Sequence, residues 1–229
     1  MTNFKTPIFL FFFLCFLVFS FDLTSAALPQ FLVSWRTDSY IPNWYQGKIF
    51  PTNGSKIDIN FELLENGKIV NLSKTKIRWY INDKLVKNEK NGLGIKFLSF
   101  VANDYPGQET EIRIALPDYK GGPLDEIIKI PIVSPEAVID SPYPDNQVYI
   151  GGSSFTAYPF FFNIKKPDEL SFEWFVDGRP VKEGERADKL DLNIDPLTPS
   201  GWEIGVRATI KNLLNQMEFS VKNIKLRIR

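Results

Sequence analysis

One short stretch occurs twice in this chain and limits what the rest can become. The first copy is Trp79-Tyr80-Ile81-Asn82-Asp83-Lys84-Leu85-Val86-Lys87 and the second is Trp174-Phe175-Val176-Asp177-Gly178-Arg179-Pro180-Val181-Lys182. Each reads as a strand around a tryptophan, a two-residue turn signal and the start of a return strand. Asn82-Asp83 and Asp177-Gly178 tolerate left-handed backbone, so each stretch predicts a tight hairpin. The tryptophans lie 95 residues apart (174 − 79), about one small β-domain.

The surrounding pattern is that of half-buried strands. Ile57, Ile59, Phe61 and Leu63 alternate with Asp58, Asn60 and Glu62, one face apolar and the other wet. Phe31, Val33 and Trp35 alternate in the same way, as do Ile77, Trp79 and Ile81. Ile95 with Phe97, Ile112 with Ile114 and Leu116, and Ile128 with Ile130 and Ile132 continue the series. After Val133-Ser134-Pro135-Glu136 the elements return: Gly152-Ser153 answers Gly54-Ser55, and Leu190-Asp191-Leu192 answers Ile95-Lys96-Phe97. Gly201 answers Gly107, and Val206-Arg207-Ala208 answers Ile112-Arg113-Ile114. The separations drift from 98 to 94, as loop differences between tandem repeats would give. Helical signals are few. The prediction is all-β, with two tandem β-sandwich domains of about seven strands each spanning residues 27–134 and 135–229.

Residues 1–26 are set apart. A weak positive start at Lys5 and an apolar run from Ile8 to Phe21 end at Asp22, with small residues at Ser25-Ala26-Ala27. The run falls short of the ~20 residues that span a bilayer. It reads as a secretory signal cleaved after Ala26, the alternative being an uncleaved N-terminal anchor, which would then be the only membrane contact. Both point to an extracytoplasmic chain. The single cysteine, Cys15, leaves with this segment, so the remaining chain has no disulfide and depends on packing.

The chain has no histidine, and its 27 basic and 27 acidic residues cancel. The commonest general base is therefore missing, and no bulk basic field exists for nucleic acid. No P-loop, GxSxG, HExxH or Cys-His pair occurs. The reading is not an enzyme, with no cofactor and no metal. Asp191, Asn193 and Asp195 place three oxygen-bearing side chains on one strand face. Pro196 stands where a calcium loop needs glycine, so a solvated face accounts for them.

The tryptophan strand, the tight hairpin after it and the late glycine before an alternating strand resemble Ig-like sandwich domains. They are most similar to bacterial and archaeal PKD-like and related Ig-like modules, in which a W-[YF]-x-[ND]-[GD] strand is common. The resemblance spans both repeats and implies a fold more than a function. The chain departs from antibody-type domains in having no cysteine pair around the tryptophan. It also lacks the aspartate-rich loops of calcium-dependent modules.

Three surfaces are candidates for function. In Phe155-Thr156-Ala157-Tyr158-Pro159-Phe160-Phe161-Phe162 the apolar phase switches, which a bulge near Pro159 would explain while leaving Phe161 outside. An outward Phe161 near the outward Phe175, which takes the place of Tyr80 in the first repeat, would make an apolar patch for a protein partner. The alternative is burial of these rings against the first repeat or the linker. Tyr40, Trp44 and Tyr45 form a second aromatic cluster, either a carbohydrate-binding platform or a plug for the open end of a sandwich. Asn53-Gly54-Ser55 and Asn71-Leu72-Ser73 are glycan acceptor motifs in a eukaryotic secretory pathway. The leading reading is a non-catalytic structural or adhesive protein of the cell envelope, making contacts through sheet edges and the aromatic patch. The alternatives are a carbohydrate-binding module and a periplasmic chaperone or assembly factor. The latter rests on two Ig-like domains after a signal, which resemble pilus chaperones.

Overall fold

The computed structural model describes residues 28–181 and 187–229. The segment read as a signal and Lys182, at the end of the second tryptophan stretch, lie outside the described residues. The first module holds β1 (Gln30–Thr37), β2 (Lys56–Glu65), β3 (Lys68–Ile69), β4 (Arg78–Ile81), β5 (Lys84–Lys87), β6 (Phe97–Val101), β7 (Glu109–Tyr119) and β8 (Gly122–Pro131). The second holds β9 (Glu136–Asp140), β10 (Gln147–Val148), β11 (Gly151–Phe160), β12 (Leu170–Val176), β13 (Arg179–Val181), β14 (Lys189–Ile194), β15 (Glu203–Asn212) and β16 (Phe219–Ile228). Three short 3-10 turns are the helical content of the described residues.

Both modules share one strand order. In the first, β2 lies between β1 and β6, with β3 at its far end, and β5-β4-β7-β8 form the facing sheet. In the second, β11 lies between β9 and β14, opposite β13-β12-β15-β16. Here β10 adds to the outer edge of β16 in parallel. In each module the chain crosses to the facing sheet at the tryptophan strand, β4 in the first and β12 in the second, which makes an Ig-like β-sandwich. Each has its own core: Phe61, Trp79 and Ile114 are central to the first, and Phe155, Trp174 and Ile210 to the second.

Trp79 and Trp174 fill equivalent inward positions, and a buried indole N–H needs an acceptor. Trp79 Nε1 donates to the Ile95 carbonyl at 2.8 Å, and Trp174 Nε1 donates to the Ala187 carbonyl at 3.1 Å. The hairpins that follow are built alike. Asn82 and Asp83 have φ of 46° and 61°, and Asp177 and Gly178 have 48° and 75°, so both central residues are left-handed, as in a type I′ turn. Their first side chains tie the turn to the neighbouring strand: Asn82 Oδ1 accepts from Glu111 N, and Asp177 Oδ1 accepts from Gly205 N. Gly107 and Gly201 share a φ of 86°, and each donates its N–H to a carbonyl at the end of the last strand of its module, Ile132 just after β8 and Ile228 in β16.

The repeat register differs from the sequence expectation in two places. In β6 it is Leu98 that is buried, at 2% exposure, whereas Phe97 is 45% exposed. Leu98 pairs with Ile59 as Leu190 pairs with Phe155, so Leu190 answers Leu98 and not Ile95. The first module spends the extra residues on a 3-10 turn, Glu89–Asn91, followed by Gly92 and Gly94 at positive φ. Likewise Gly54 lies in the turn before β2, whereas Gly152 is inside β11, paired with Asn193. The two Gly-Ser pairs are therefore not equivalent, and the separations do not drift in one direction.

The phase switch in β11 is real, and it falls one step after Pro159. Phe155, Ala157 and Pro159 are buried, then Phe160 and Phe162. Phe161, between them, has a φ of 61° and acts as the bulge. Ala157 N–H bonds the Asp188 carbonyl on the β14 side, so the donor that Pro159 lacks would also face that side. The β14 ladder has already ended at Thr156, and no sheet bond is lost.

Candidate functional site

The chain between β1 and β2 does not stay with the first module. At Tyr40 it forms an antiparallel bridge with Phe162 of the second module. Tyr40 N–H donates to the Phe162 carbonyl, and Phe161 N–H donates to the Tyr40 carbonyl, both at 2.7 Å. The Tyr40 ring packs against the second core, and burial pushes its hydroxyl pKa up. Pro42 is buried behind it, and Tyr45 N–H closes a turn on the Pro42 carbonyl.

The two aromatic clusters that are distant in sequence thereby become one seam. Phe50 meets Trp35 at 6.3 Å and Phe161 at 5.9 Å between ring centres. Phe161 meets Phe160 at 5.9 Å, and Phe160 meets both Tyr45 at 5.3 Å and Trp44 at 5.9 Å. Trp44 then meets Tyr158 at 5.2 Å. Interplanar angles from Phe50–Phe161 onward run from 62° to 84°, the edge-to-face geometry that aromatic pairs favour. Lys48 closes the first-module end. Its ammonium lies 3.6 Å from the Trp35 ring centre and donates to the Trp35 carbonyl at 2.8 Å, and partial desolvation there lowers its pKa.

A polar hub stands beside the rings. Ser55 Oγ donates to Asn163 Oδ1 at 2.6 Å, and Asn163 Nδ2 donates to the Asn53 carbonyl at 2.8 Å. Within the second module, Asn163 N–H donates to Glu218 Oε1 at 2.8 Å. Glu218 is buried and also takes a hydrogen bond from the Asn212 amide. Charge-assisted bonds of this kind hold a buried carboxylate in place. Asn163 thus joins the modules with one side chain.

The partner patch expected of Phe161, Phe175 and Tyr80 does not assemble. Phe161 is half-buried in the seam, whereas Phe175 is on β12, in the opposite sheet of its module. Phe175 is also covered: the Arg207 guanidinium lies 3.9 Å from its ring centre. Arg113 covers Tyr80 in the same way, at 3.8 Å. The two outward rings are repeat-equivalent cation–π pairs.

Tyr40, Trp44 and Tyr45 do come together, with unequal exposure. Tyr40 is the plug, though it closes the second sandwich and not its own. Tyr45 packs edge-on against Phe160. Trp44 remains 55% exposed. On its far side opens a cleft of about 570 Å³, lined by Tyr40, Asn43, Trp44, Tyr158, Asp168 and Asp188 among others. Tyr45, Phe50, Val133, Val138 and Phe161 line a second cleft of about 490 Å³. Sequence reasoning missed Tyr158, Asp168, Asp188 and the Asn163 hub. The aromatic run held a signal for Tyr158, but the polar turn Lys165–Glu169 offered none for Asp168.

Asp191, Asn193 and Asp195 are exposed on β14 and the turn after it, and Asp195 Oδ1 accepts from Leu197 N–H. Among the described residues, no group of three acidic, cysteine or histidine side chains is placed to hold a metal ion. No helix among them is long and apolar enough to cross a membrane.

No protein-family model matches the sequence, and no curated protein matches it either. Solved structures similar to it include tandem Ig-like and fibronectin-like modules. The fibronectin(III)-like modules of Clostridium thermocellum CbhA share 13% identity over 86% of this chain and 94% of theirs, with a TM-score of 0.29. Three N-terminal domains of the bacteriophage RB49 outer capsid protein Hoc share 12% identity over 87% of this chain, with a TM-score of 0.41. The chain spans 59% of that fragment. The Ig1-2 module of the Drosophila receptor tyrosine phosphatase DLAR shares 11% identity over 88% of this chain and 98% of its own, with a TM-score of 0.28. Likeness at this level carries no function, and the Ig-like assignment rests on the strand order of the two modules.

Proposed function

We infer that the protein is a non-catalytic, extracytoplasmic adhesive or structural element whose two Ig-like modules work as one rigid unit. The observation that carries this reading is the β1–β2 connection. It crosses to the second module, bridges Phe162 and closes an aromatic seam that ordinary tandem linkage does not require. Inter-domain contacts within a chain are usually mobile, and a seam of packed rings with a buried polar hub opposes that motion. A unit held in this way transmits force and presents a fixed surface, as an element of a cell envelope must. The exposed face of the seam at Trp44, and not the outward faces of Tyr80 and Phe175, is its contact surface. The signal-like residues 1–26 support delivery outside the cytoplasm.

Protease treatment of intact cells expressing the full chain tests the reading. Digestion of the protein without lysis is the expected result. Protection until lysis opposes an exposed location, and turnover of a polymer that a point substitution abolishes opposes the non-catalytic role.

A further inference from the structure

The cleft beside Trp44 has the chemistry of a sugar site, and we propose that it binds a neutral carbohydrate. This deepens the adhesive reading and rests on it. Trp44 is a large apolar ring, more than half exposed, yet held in place. Tyr158 lies against it at 80° and Phe160 at 76°, so its orientation is set before any ligand arrives. The weakly positive C–H groups on one face of a pyranose seat on the negative face of an aromatic ring. A pre-oriented platform spares the ordering cost that a mobile indole would incur on binding. A cleft of about 570 Å³ also lies within the range of small-ligand sites.

The polar rim selects among ligands. Asn43 and Asp168 are exposed at the cleft. Carboxylates accept hydrogen bonds and donate none, whereas an amide does both. A polyol offers a dense set of O–H donors to such a rim. A proline-rich peptide offers carbonyl acceptors and few N–H groups, so the Asp168 carboxylate finds nothing to accept. An anionic sugar meets the like charge of Asp168. The ring walls and the acceptor rim together fit an uncharged glycan.

The test is titration of the full chain, by calorimetry, with cellohexaose, laminarihexaose, xylohexaose, mannohexaose, chitohexaose, trigalacturonate and hexalysine. At least one neutral oligosaccharide is expected to bind, with an affinity unchanged between about 0.05 M and 0.5 M salt, since no charge pairing is involved. Trp44→Ala should weaken that binding at least about tenfold, which corresponds to one aromatic contact. Asp168→Asn, which preserves shape and exchanges an acceptor for a donor, should weaken it by a similar factor with an unchanged melting temperature. Silence with every neutral oligosaccharide overturns the proposal. So does binding that both variants retain, or binding of hexalysine alone that salt abolishes. Release of reducing ends from a bound oligosaccharide would overturn the non-catalytic reading instead, which keeps the two failures distinct.

Discussion

Phe161 offers a test in which alanine should do more harm than glycine. Its ring contacts Phe50 and Phe160, both at 5.9 Å, and its backbone sits at a φ of 61°. Each edge-to-face pair contributes about 0.5–1.5 kcal/mol beyond area burial, so two pairs contribute about 1–3 kcal/mol. Withdrawing a half-buried ring from its apolar surroundings adds roughly 1 kcal/mol. Phe161→Ala should therefore cost about 2–4 kcal/mol, a large share of an ordinary domain's stability. Left-handed backbone costs an L-residue about 1–2 kcal/mol, and alanine inherits that cost in full. Glycine escapes it, at an entropic penalty of about 0.5–1 kcal/mol. Phe161→Gly should thus be less destabilising than Phe161→Ala by up to about 1 kcal/mol, the reverse of the usual order. Urea unfolding of the full chain, followed by tryptophan fluorescence, gives both numbers. A loss for glycine clearly greater than that for alanine would refute the bulge. A loss below about 0.5 kcal/mol for alanine would refute the seam.

Trp174→Ala should cost the second module about 3–5 kcal/mol and orphan the Ala187 carbonyl, and a thermal melt that finds that module intact contradicts its role as core pillar. Acid should weaken the first module through Glu89, Glu65 and Asp58. A bidentate bond from the Arg78 guanidinium holds the Glu89 carboxyl down at about 2, while a Lys120 bond lowers Glu65 and a Ser99 bond lowers Asp58. A carboxyl depressed on folding stabilises above its unfolded value of 4.5 and loses that contribution as pH falls through its folded value. The melting temperature of the first module should therefore drop between about pH 4.5 and pH 2, and less steeply in Glu89→Gln; identical profiles for the two proteins contradict the assignment. Gly94→Ala should destabilise the same module, because a Cβ there would stand 2.8 Å from Ser73 Cα and 2.9 Å from the Leu72 carbonyl oxygen, at a φ of 68°. An unchanged midpoint in urea would contradict that packing.

Much of each module was legible because its signals are local. The alternation from Ile57 to Leu63, the two tryptophans and the left-handed pairs after them each fix a structure within a few residues. So does the collision of phases around Pro159. The β6 register was not legible, since Ile95 and Phe97 imitate an inward phase that a longer loop displaces. The site was harder to read for a deeper reason. Tyr40 meets Phe162 across more than a hundred residues of chain, and such pairing leaves no mark on either sequence. The aromatic richness of residues 31–50 was plain, yet nothing local shows that its partner is another module's bulge. Phe175 was misread for the opposite reason. Its outward phase was correct, but the arginine that covers it comes from a neighbouring strand.

The seam makes the two modules one body, and a distance measurement tests that most directly. Cys15→Ser with Lys74→Cys and Lys222→Cys gives one exposed spin-label site in each module. Double electron–electron resonance on this protein should return a single narrow distance distribution. The same measurement with Phe160→Ala, at the centre of the seam, should return a broad one. A broad distribution with the seam intact, or a narrow one unchanged by its removal, would contradict the account.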